Sequence, residues 1–80
     1  PEEGDHGALS IHPVPASQWL NVFVDGPAEL RMLNISGQHV LIQRLAGGGD
    51  VVDVSVLPSG VYVARVQLVD RVLQQRVVVE

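Results

Sequence analysis

Polar and apolar residues alternate along the chain in short runs, and glycine, proline, asparagine and aspartate cluster between the runs. An alternation of period two places every second side chain on the same face of a strand. No stretch has apolar residues at i, i+3, i+4 and i+7 over the length that a helix requires. The pattern therefore predicts seven strands and no helix, at residues 9–12, 19–24, 29–33, 39–45, 51–56, 61–68 and 72–79.

The same alternation predicts which side chains face the core. Polar residues occupy the other face of most strands, which is typical of antiparallel sheets with one wet face. The last two strands are separated by residues 69–71 and are expected to form a hairpin. The predicted inward-facing residues are Leu20, Val22, Val24, Leu30, Met32, Val40, Ile42, Val52, Val54, Val56, Tyr62, Ala64, Val66, Leu68, Leu73, Val77 and Val79.

Valine dominates the composition, with sixteen of the 80 residues. β-Branched side chains pack well on a pleated surface and lose rotamer freedom in a helix. A single sheet would leave an apolar face in water, so two sheets are expected to share the core. We predict an all-β fold, an Ig-like antiparallel β-sandwich of about seven strands, over residues 9–80. Residues 1–8 are polar and turn-forming and are expected to be a linker or N-terminal arm.

Charge and cysteine content narrow the function classes. The formal net charge is −4, with five arginines and no lysine, and this argues against a nucleic-acid footprint. Without cysteine there is no disulfide, thiolate zinc site or cysteine nucleophile. No apolar run approaches the length of a membrane span, and no signal peptide opens the chain. We expect a small globular module that was cut from a longer precursor or follows another domain.

Candidate catalytic and metal-binding residues are few. No serine lies in a nucleophile elbow, and no histidine has the spacing of a metal site. The glycines at 47–49 precede a strand and lack the Lys-Ser/Thr of a phosphate loop, so they are expected to form a hairpin loop. Residues 34–36 match a glycosylation sequon, but we expect an Asx-type turn there. We predict no enzyme activity, no cofactor and no metal. The histidines are His6, His12 and His39.

Four short motifs occur in order along the chain. They are PVPA at 13–16 with LNV at 20–22, NISGQHV at 34–40, LPSGVY at 57–62 and RVVVE at 76–80. In this order and at these separations they resemble the C-terminal sorting domain of the type IX secretion system of Bacteroidetes. The residues that carry the resemblance are Pro13, Pro15, Ala16, Leu20, Asn34, Gly37, Val40, Leu57, Gly60, Tyr62 and Arg76.

The resemblance implies recognition without catalysis. The folded domain would be fused to the C-terminus of a cargo protein and read by the type IX translocon and its shuttle proteins. It would pass through the periplasm and reach the outer membrane, the cell surface or the extracellular space. In many members a sortase-like peptidase then removes the domain. We expect a monomer whose terminal strand can extend a partner's sheet. The candidate recognition strand is Arg76, Val77, Val78, Val79 and Glu80.

Two alternatives remain open. A generic Ig-like adhesion, carbohydrate-binding or spacer module would share the same turns, and Trp19 and Phe23 on one face provide a small aromatic surface. The family often has lysines in its last residues, whereas this chain has Arg76, Val79 and Glu80 there. That departure fits an uncleaved C-terminal domain of a component of the surface attachment complex.

Overall fold

The computed structural model describes residues 9–13 and 15–80, which form seven strands in two antiparallel sheets. The three-stranded sheet has the order β1-β2-β5 and the four-stranded sheet the order β4-β3-β6-β7. The predicted all-β sandwich is confirmed, while the predicted linker at 1–8 lies outside the described residues. The strands are β1 (Leu9–His12), β2 (Trp19–Val24), β3 (Ala28–Leu33), β4 (His39–Leu45), β5 (Asp50–Asp53), β6 (Gly60–Gln67) and β7 (Val72–Val79).

The core lies between the two sheets and is apolar. Among the described residues no polar or charged residue is buried. The predicted inward faces of β2, β3, β6 and β7 are confirmed, and the last two strands pair as the expected hairpin. The largest fully buried side chains are Leu20, Leu30, Met32, Leu45, Val22, Val52, Val54, Val66, Val77 and Val79.

Two glutamine side chains connect the edge strands of one sheet to the other sheet. Gln43 faces inward at the edge of the four-stranded sheet, and its Nε2 donates to the carbonyl oxygen of Val51 on β5, 3.1 Å away. On the opposite side, Nε2 of Gln75 donates to the carbonyl oxygen of Ile11 on β1 at 3.5 Å. Each amide offers a polar partner to an edge carbonyl where two sheets meet, so both edges are held together by side chain to backbone contacts.

Tyr62 forms a tyrosine corner at the connection from β5 to β6. Its ring is buried, and its hydroxyl donates to the carbonyl oxygen of Pro58, 2.5 Å away. A tyrosine at the start of the sixth strand that bonds back to the preceding connection is a feature of Ig-like sandwiches. One strand differs from the constant-type Ig arrangement, because β4 pairs with β3 and not with the three-stranded sheet.

The prediction that Val40 and Ile42 face the core is wrong. Both side chains are exposed, and Leu41 and Leu45 face inward in their place. The register shifts between Met32 and the residue after it, which leaves Val40 without a partner on β3. Such a bulge changes which residues of a strand point inward.

The end of β5 also differs from the prediction. Val56 was expected in the core, but β5 ends at Asp53 and the Val56 side chain is exposed. Ser55 donates from its backbone N–H and its hydroxyl to Oδ1 of Asp53, which turns the chain and breaks the alternation. Leu57 enters the core instead, with its N–H donating to the Val54 carbonyl.

Residues 47–49 do not form the expected hairpin loop. β4 and β5 belong to different sheets, so this segment crosses from one layer of the sandwich to the other. The Asp50 carboxylate accepts hydrogen bonds from the N–H groups of Ala46 and Gly47 at 3.1 and 3.0 Å. These bonds satisfy two backbone donors that have no strand partner at the crossing.

Candidate functional site

The candidate recognition strand, residues 76–80, covers the last part of β7 and the residue after it. β7 is the last strand of the four-stranded sheet. Val77 and Val79 point into the core, while Arg76 and Glu80 are exposed and Val78 is half-buried on the outer face. Two of the five residues therefore stabilise the sandwich, and three side chains are accessible to a partner.

The opening motif covers the tip of this edge. The Ala16 N–H donates to the Val78 carbonyl, and the Glu80 N–H donates to the Ala16 carbonyl, both at 2.8 Å. These two bonds make a parallel bridge between Ala16 and Val79. Ala16 itself is completely buried. The last residues of β7 are therefore already paired within the chain.

The remainder of the β7 edge is open within the described part of the chain. Because the Val78 carbonyl and the Glu80 N–H point away from β6, the backbone groups of every second residue before them point the same way. Those residues are Val72, Gln74 and Arg76, and no described residue pairs with their backbone. They offer donors and acceptors to an added strand.

The four sequence motifs meet at one end of the sandwich. Gly60 pairs with Val79, and Leu33, just before the turn at 34–37, pairs with Val63 on the same β6. The bridge from Ala16 brings the opening motif to this end as well. We call this region the motif end. Sequence order could not show the convergence, since 11 to 16 residues separate each motif from the next along the chain.

Individual motif residues have different environments at the motif end. Pro13 and Pro15 are exposed, whereas Leu20 in β2 is fully buried. The expected Asx-type turn is confirmed, because Oδ1 of Asn34 accepts from the N–H groups of Ser36 and Gln38 at 2.9 and 3.0 Å.

The remaining motif residues also lie in turns or at strand starts. Gly37 has a φ of 83°, which a residue with a side chain rarely adopts. Val40 is the bulged residue of β4 and is partly exposed. Leu57 is buried beside the tyrosine corner, and Gly60 is exposed at the first position of β6.

Leu9 lies at the opposite end of the molecule. It pairs with Val24, next to the turn at 25–27, whereas the C-terminus lies at the motif end. The longest dimension of the described structure is 31 Å. At the far end Arg71 binds both carboxylate oxygens of Asp25 at 2.7 and 2.8 Å and also contacts Asp70. The hydrogen bonds that Arg71 donates to Asp25 raise the pKa of Arg71 above its usual value.

The outer face of the three-stranded sheet carries the exposed aromatic residues. Trp19 and Phe23 are 49% and 40% exposed. They are four residues apart on β2, or about 13 Å at 3.3 Å per residue, with Asn21 between them. The His12 ring stacks on Phe23 with centroids 5.2 Å apart. The two aromatic side chains therefore do not form a continuous stacking surface.

The described residues contain neither a metal centre nor a membrane-spanning helix. Within residues 9–13 and 15–80, no three histidine or carboxylate side chains are close enough to hold a metal ion. No helix in that same part of the chain is long and apolar enough to cross a membrane. His12 stacks on an aromatic ring and His39 is exposed, while His6 lies outside the described residues.

Comparison with known proteins decides the family. The family model described as the secretion system C-terminal sorting domain matches residues 10–80. The chain belongs to this family. No curated protein matches the chain.

As a sorting domain of type IX secretion, the module acts as a signal for export and belongs to no enzyme family. The family implies interaction with the type IX machinery and an N-terminal cargo. It also implies export to the outer membrane, the cell surface or the extracellular space. The geometry of the sorting domain, with exposed edges and shallow surfaces, suits recognition by another macromolecule.

Proposed function

We propose that the secretion machinery reads this sorting domain at the motif end and along the adjoining edge of β7. The observation that carries the proposal is the convergence of four sequence-distant motifs at one end of the sandwich. Leu9 lies at the other end, so a cargo on that side would leave the motif end accessible. The domain can then present its signal while it remains attached to a protein of any shape.

The mode of recognition that fits β7 is the addition of a strand. The open backbone groups of Val72, Gln74 and Arg76 can pair with an extended segment of a translocon or shuttle protein. Backbone pairing reads little sequence, which suits a signal that many different cargo proteins carry. Ala16 restricts the docking strand to the part of β7 before Val78, because it occupies the last positions of the edge.

We further propose the route and the processing of the carrier protein. The folded sandwich passes through the periplasm and is bound there by shuttle proteins before it crosses the outer membrane. A sortase-like peptidase cuts in the linker at residues 1–8, which precede Leu9 in the sequence, and Leu9 lies at the end opposite the motif end. Removal there leaves the motif end bound to the machinery while the cargo is released.

The test replaces Gln74 with proline in the full carrier protein and measures its amount at the cell surface. Gln74→Pro removes an N–H that points outward, and proline is tolerated on edge strands at such positions. Gln74→Ala is the matched control, because it removes the same side chain and keeps the N–H. We expect Gln74→Pro to leave the carrier in the periplasm and Gln74→Ala to be exported normally.

Deletion of residues 76–80 is the second arm of the test. It removes the candidate recognition strand and should also block export, but it takes Val77 and Val79 out of the core and can unfold the sandwich. Urea unfolding of each variant separates the two effects. Normal export of a carrier with a folded Gln74→Pro domain would show that the β7 edge is not read.

A further inference from the structure

The outer face of the four-stranded sheet carries one arginine on each of its strands. Arg44 lies on β4, Arg31 on β3, Arg65 on β6 and Arg76 on β7. Arg31 and Arg65 are directly opposite each other in the register of β3 and β6. Arg76 is opposite Val63, two residues from Arg65, so it lies on the diagonal next to Arg65. We call these four residues the arginine diagonal.

The arginine diagonal is a concentration of positive charge on a protein whose net charge is −4. Within β3, β4, β6 and β7, Glu29 is the one carboxylate residue, and it lies on this face opposite Arg44. Oε1 of Glu29 accepts from Nε and Nη2 of Arg31 at 2.9 and 2.8 Å. Four of five arginines therefore lie on a face whose strands carry a single carboxylate, and the remaining arginine, Arg71, is paired at the far end.

Arg65 is the least satisfied member of the diagonal. Its Nε is buried and has no hydrogen-bond partner within the described part of the chain. Its neighbour across the strand is Arg31, and like charges in directly opposite positions destabilise a sheet. Glu29 compensates the charge of Arg31, whereas within the described part of the chain no carboxylate pairs with Arg65. An anionic group bound beside Arg65 would accept from the outer guanidinium N–H groups and reduce the repulsion.

Apolar side chains accompany the diagonal on the same face. Leu33, Val63 and Val78 are half-buried, and Ile42 is 57% exposed opposite Arg31. Arginine among apolar residues, without lysine, is typical of protein interfaces. A polyanion such as a charged polysaccharide would be bound by charge density and would not need these apolar neighbours. The composition of the face therefore favours a protein as its partner.

We propose that this face docks an acidic protein segment, with carboxylates bound by the arginine diagonal and apolar side chains packed on its neighbours. Adjacent strands lie about 4.8 Å apart, so Arg31 and Arg65 are roughly 5 Å apart, and the two diagonal steps, to Arg44 and to Arg76, are roughly 7–8 Å. Alternate residues of an extended chain are about 6.7 Å apart, which lies between these two spacings. The segment would carry acidic residues at alternate positions and would cross the sheet. The proposal rests on the proposed function in taking the partner from the secretion machinery.

The experiment places the photo-crosslinker p-benzoylphenylalanine at position 42 of the full carrier protein in its own cells. Ile42 is on the outer face beside Arg31 and on the strand farthest from the β7 edge, so crosslinks from it do not report edge pairing. Mass spectrometry of the crosslinked peptides is expected to identify a protein segment with acidic residues at alternate positions. Crosslinks to a glycan, to a segment without such residues or to nothing would overturn the proposal.

Charge variants test whether the arginines cause the crosslink. Arg65→Gln is expected to lower the crosslink yield about tenfold, which corresponds to about 1.4 kcal/mol, since it removes charge-assisted hydrogen bonds. Arg44 is exposed on β4, and Arg44→Gln is expected to lower the yield as well, so it replaces Arg65→Gln as the test if that variant alters folding. Arg71→Gln removes the same charge at the far end and is expected to leave the yield unchanged. Equal yields in all three variants would overturn the proposal.

Export measured in the same strains separates the two proposals. If Gln74→Pro blocks export while Arg65→Gln changes neither crosslinks nor export, the proposal of a docking face is wrong and the proposed function is supported. If Gln74→Pro is exported normally while the crosslinks persist and depend on Arg65, the proposal that the β7 edge is recognised is wrong. The proposal that the arginine diagonal docks an acidic segment is then supported.

Discussion

Gly47 packs against the backbone of Gly26 so closely that a Cβ atom on Gly47 would lie 2.7 Å from the Gly26 carbonyl carbon. The next residue in the crossing from β4 to β5, Gly48, donates its N–H to the Val24 carbonyl at 2.8 Å. The connection between the two layers therefore lies directly on the turn from β2 to β3. This contact requires a glycine for space as well as for backbone conformation.

The first prediction compares alanine at Gly47 and Gly48. Both residues have positive φ, 96° and 80°, so each substitution strains the backbone, by about 1–2 kcal/mol. Gly48→Ala meets no atom within 4 Å, whereas Gly47→Ala collides with backbone that cannot rotate away. We expect Gly47→Ala to lower the free energy of unfolding by about 3 kcal/mol or more, measured by urea denaturation. Equal losses in the two variants would contradict the close approach.

The second prediction concerns the tyrosine corner. Tyr62→Phe removes the hydroxyl that donates to the Pro58 carbonyl and keeps the buried ring. A hydrogen bond of this kind contributes about 0.5–1.5 kcal/mol to stability, and we expect a loss in that range. Tyr62→Ala also removes the ring from the core and should cost about 3–5 kcal/mol. A Tyr62→Phe domain as stable as the original would show that the hydroxyl bond has no net effect.

The third prediction concerns the bridge from Ala16 to the end of β7. Ala16→Leu places a larger side chain in a fully buried position, which typically costs about 1–3 kcal/mol. Because the Glu80 N–H donates to the Ala16 carbonyl, its hydrogen exchange should become faster in this variant. Ser17→Leu, at the exposed neighbouring position, is the control and should leave the exchange of Glu80 unchanged. Unchanged exchange in Ala16→Leu would mean that the bridge does not hold the strand end.

The fourth prediction is a pH dependence. The hydroxyl and the N–H of Ser55 donate to Asp53 and lower the pKa of that carboxyl below its ordinary value. A lowered folded-state pKa contributes stability that is complete above the unfolded-state pKa and is lost as the pH falls through the folded-state pKa. Ser55→Ala should raise the pKa of Asp53 toward its ordinary value in an NMR titration. The variant should also lose less stability on acidification than the original.

Local sequence pattern determined most of the strands. The alternation in β2 and β7 placed both strands at the bounds observed, and it assigned their inner faces correctly. Turn chemistry was equally readable at Asn34 and Gly37, where the side-chain acceptor and the positive φ are properties of the residues themselves. These features depend on neighbours in sequence, so the sequence alone contains the information.

The alternation of apolar residues did not predict the structure correctly where a residue's partner is distant in the chain. The inner face of β4 depends on the bulge opposite Met32 and on the bond from Gln43 to β5, and alternation alone chose the wrong face. The predicted end of β5 at residue 56 is also wrong. A hydrogen-bonded turn at Ser55 interrupts a run of valines whose pattern predicts one continuous strand.

The candidate surfaces were decided by tertiary structure. Resemblance in the sequence named the motifs, but strand pairing brought them to one end and placed Ala16 on the edge of β7. The arginine diagonal joins residues from four strands whose order in the sheet differs from their order in the chain. Side-chain alternation is a property of each strand by itself, whereas a surface shared by several strands depends on their register, which only the packed sheets establish.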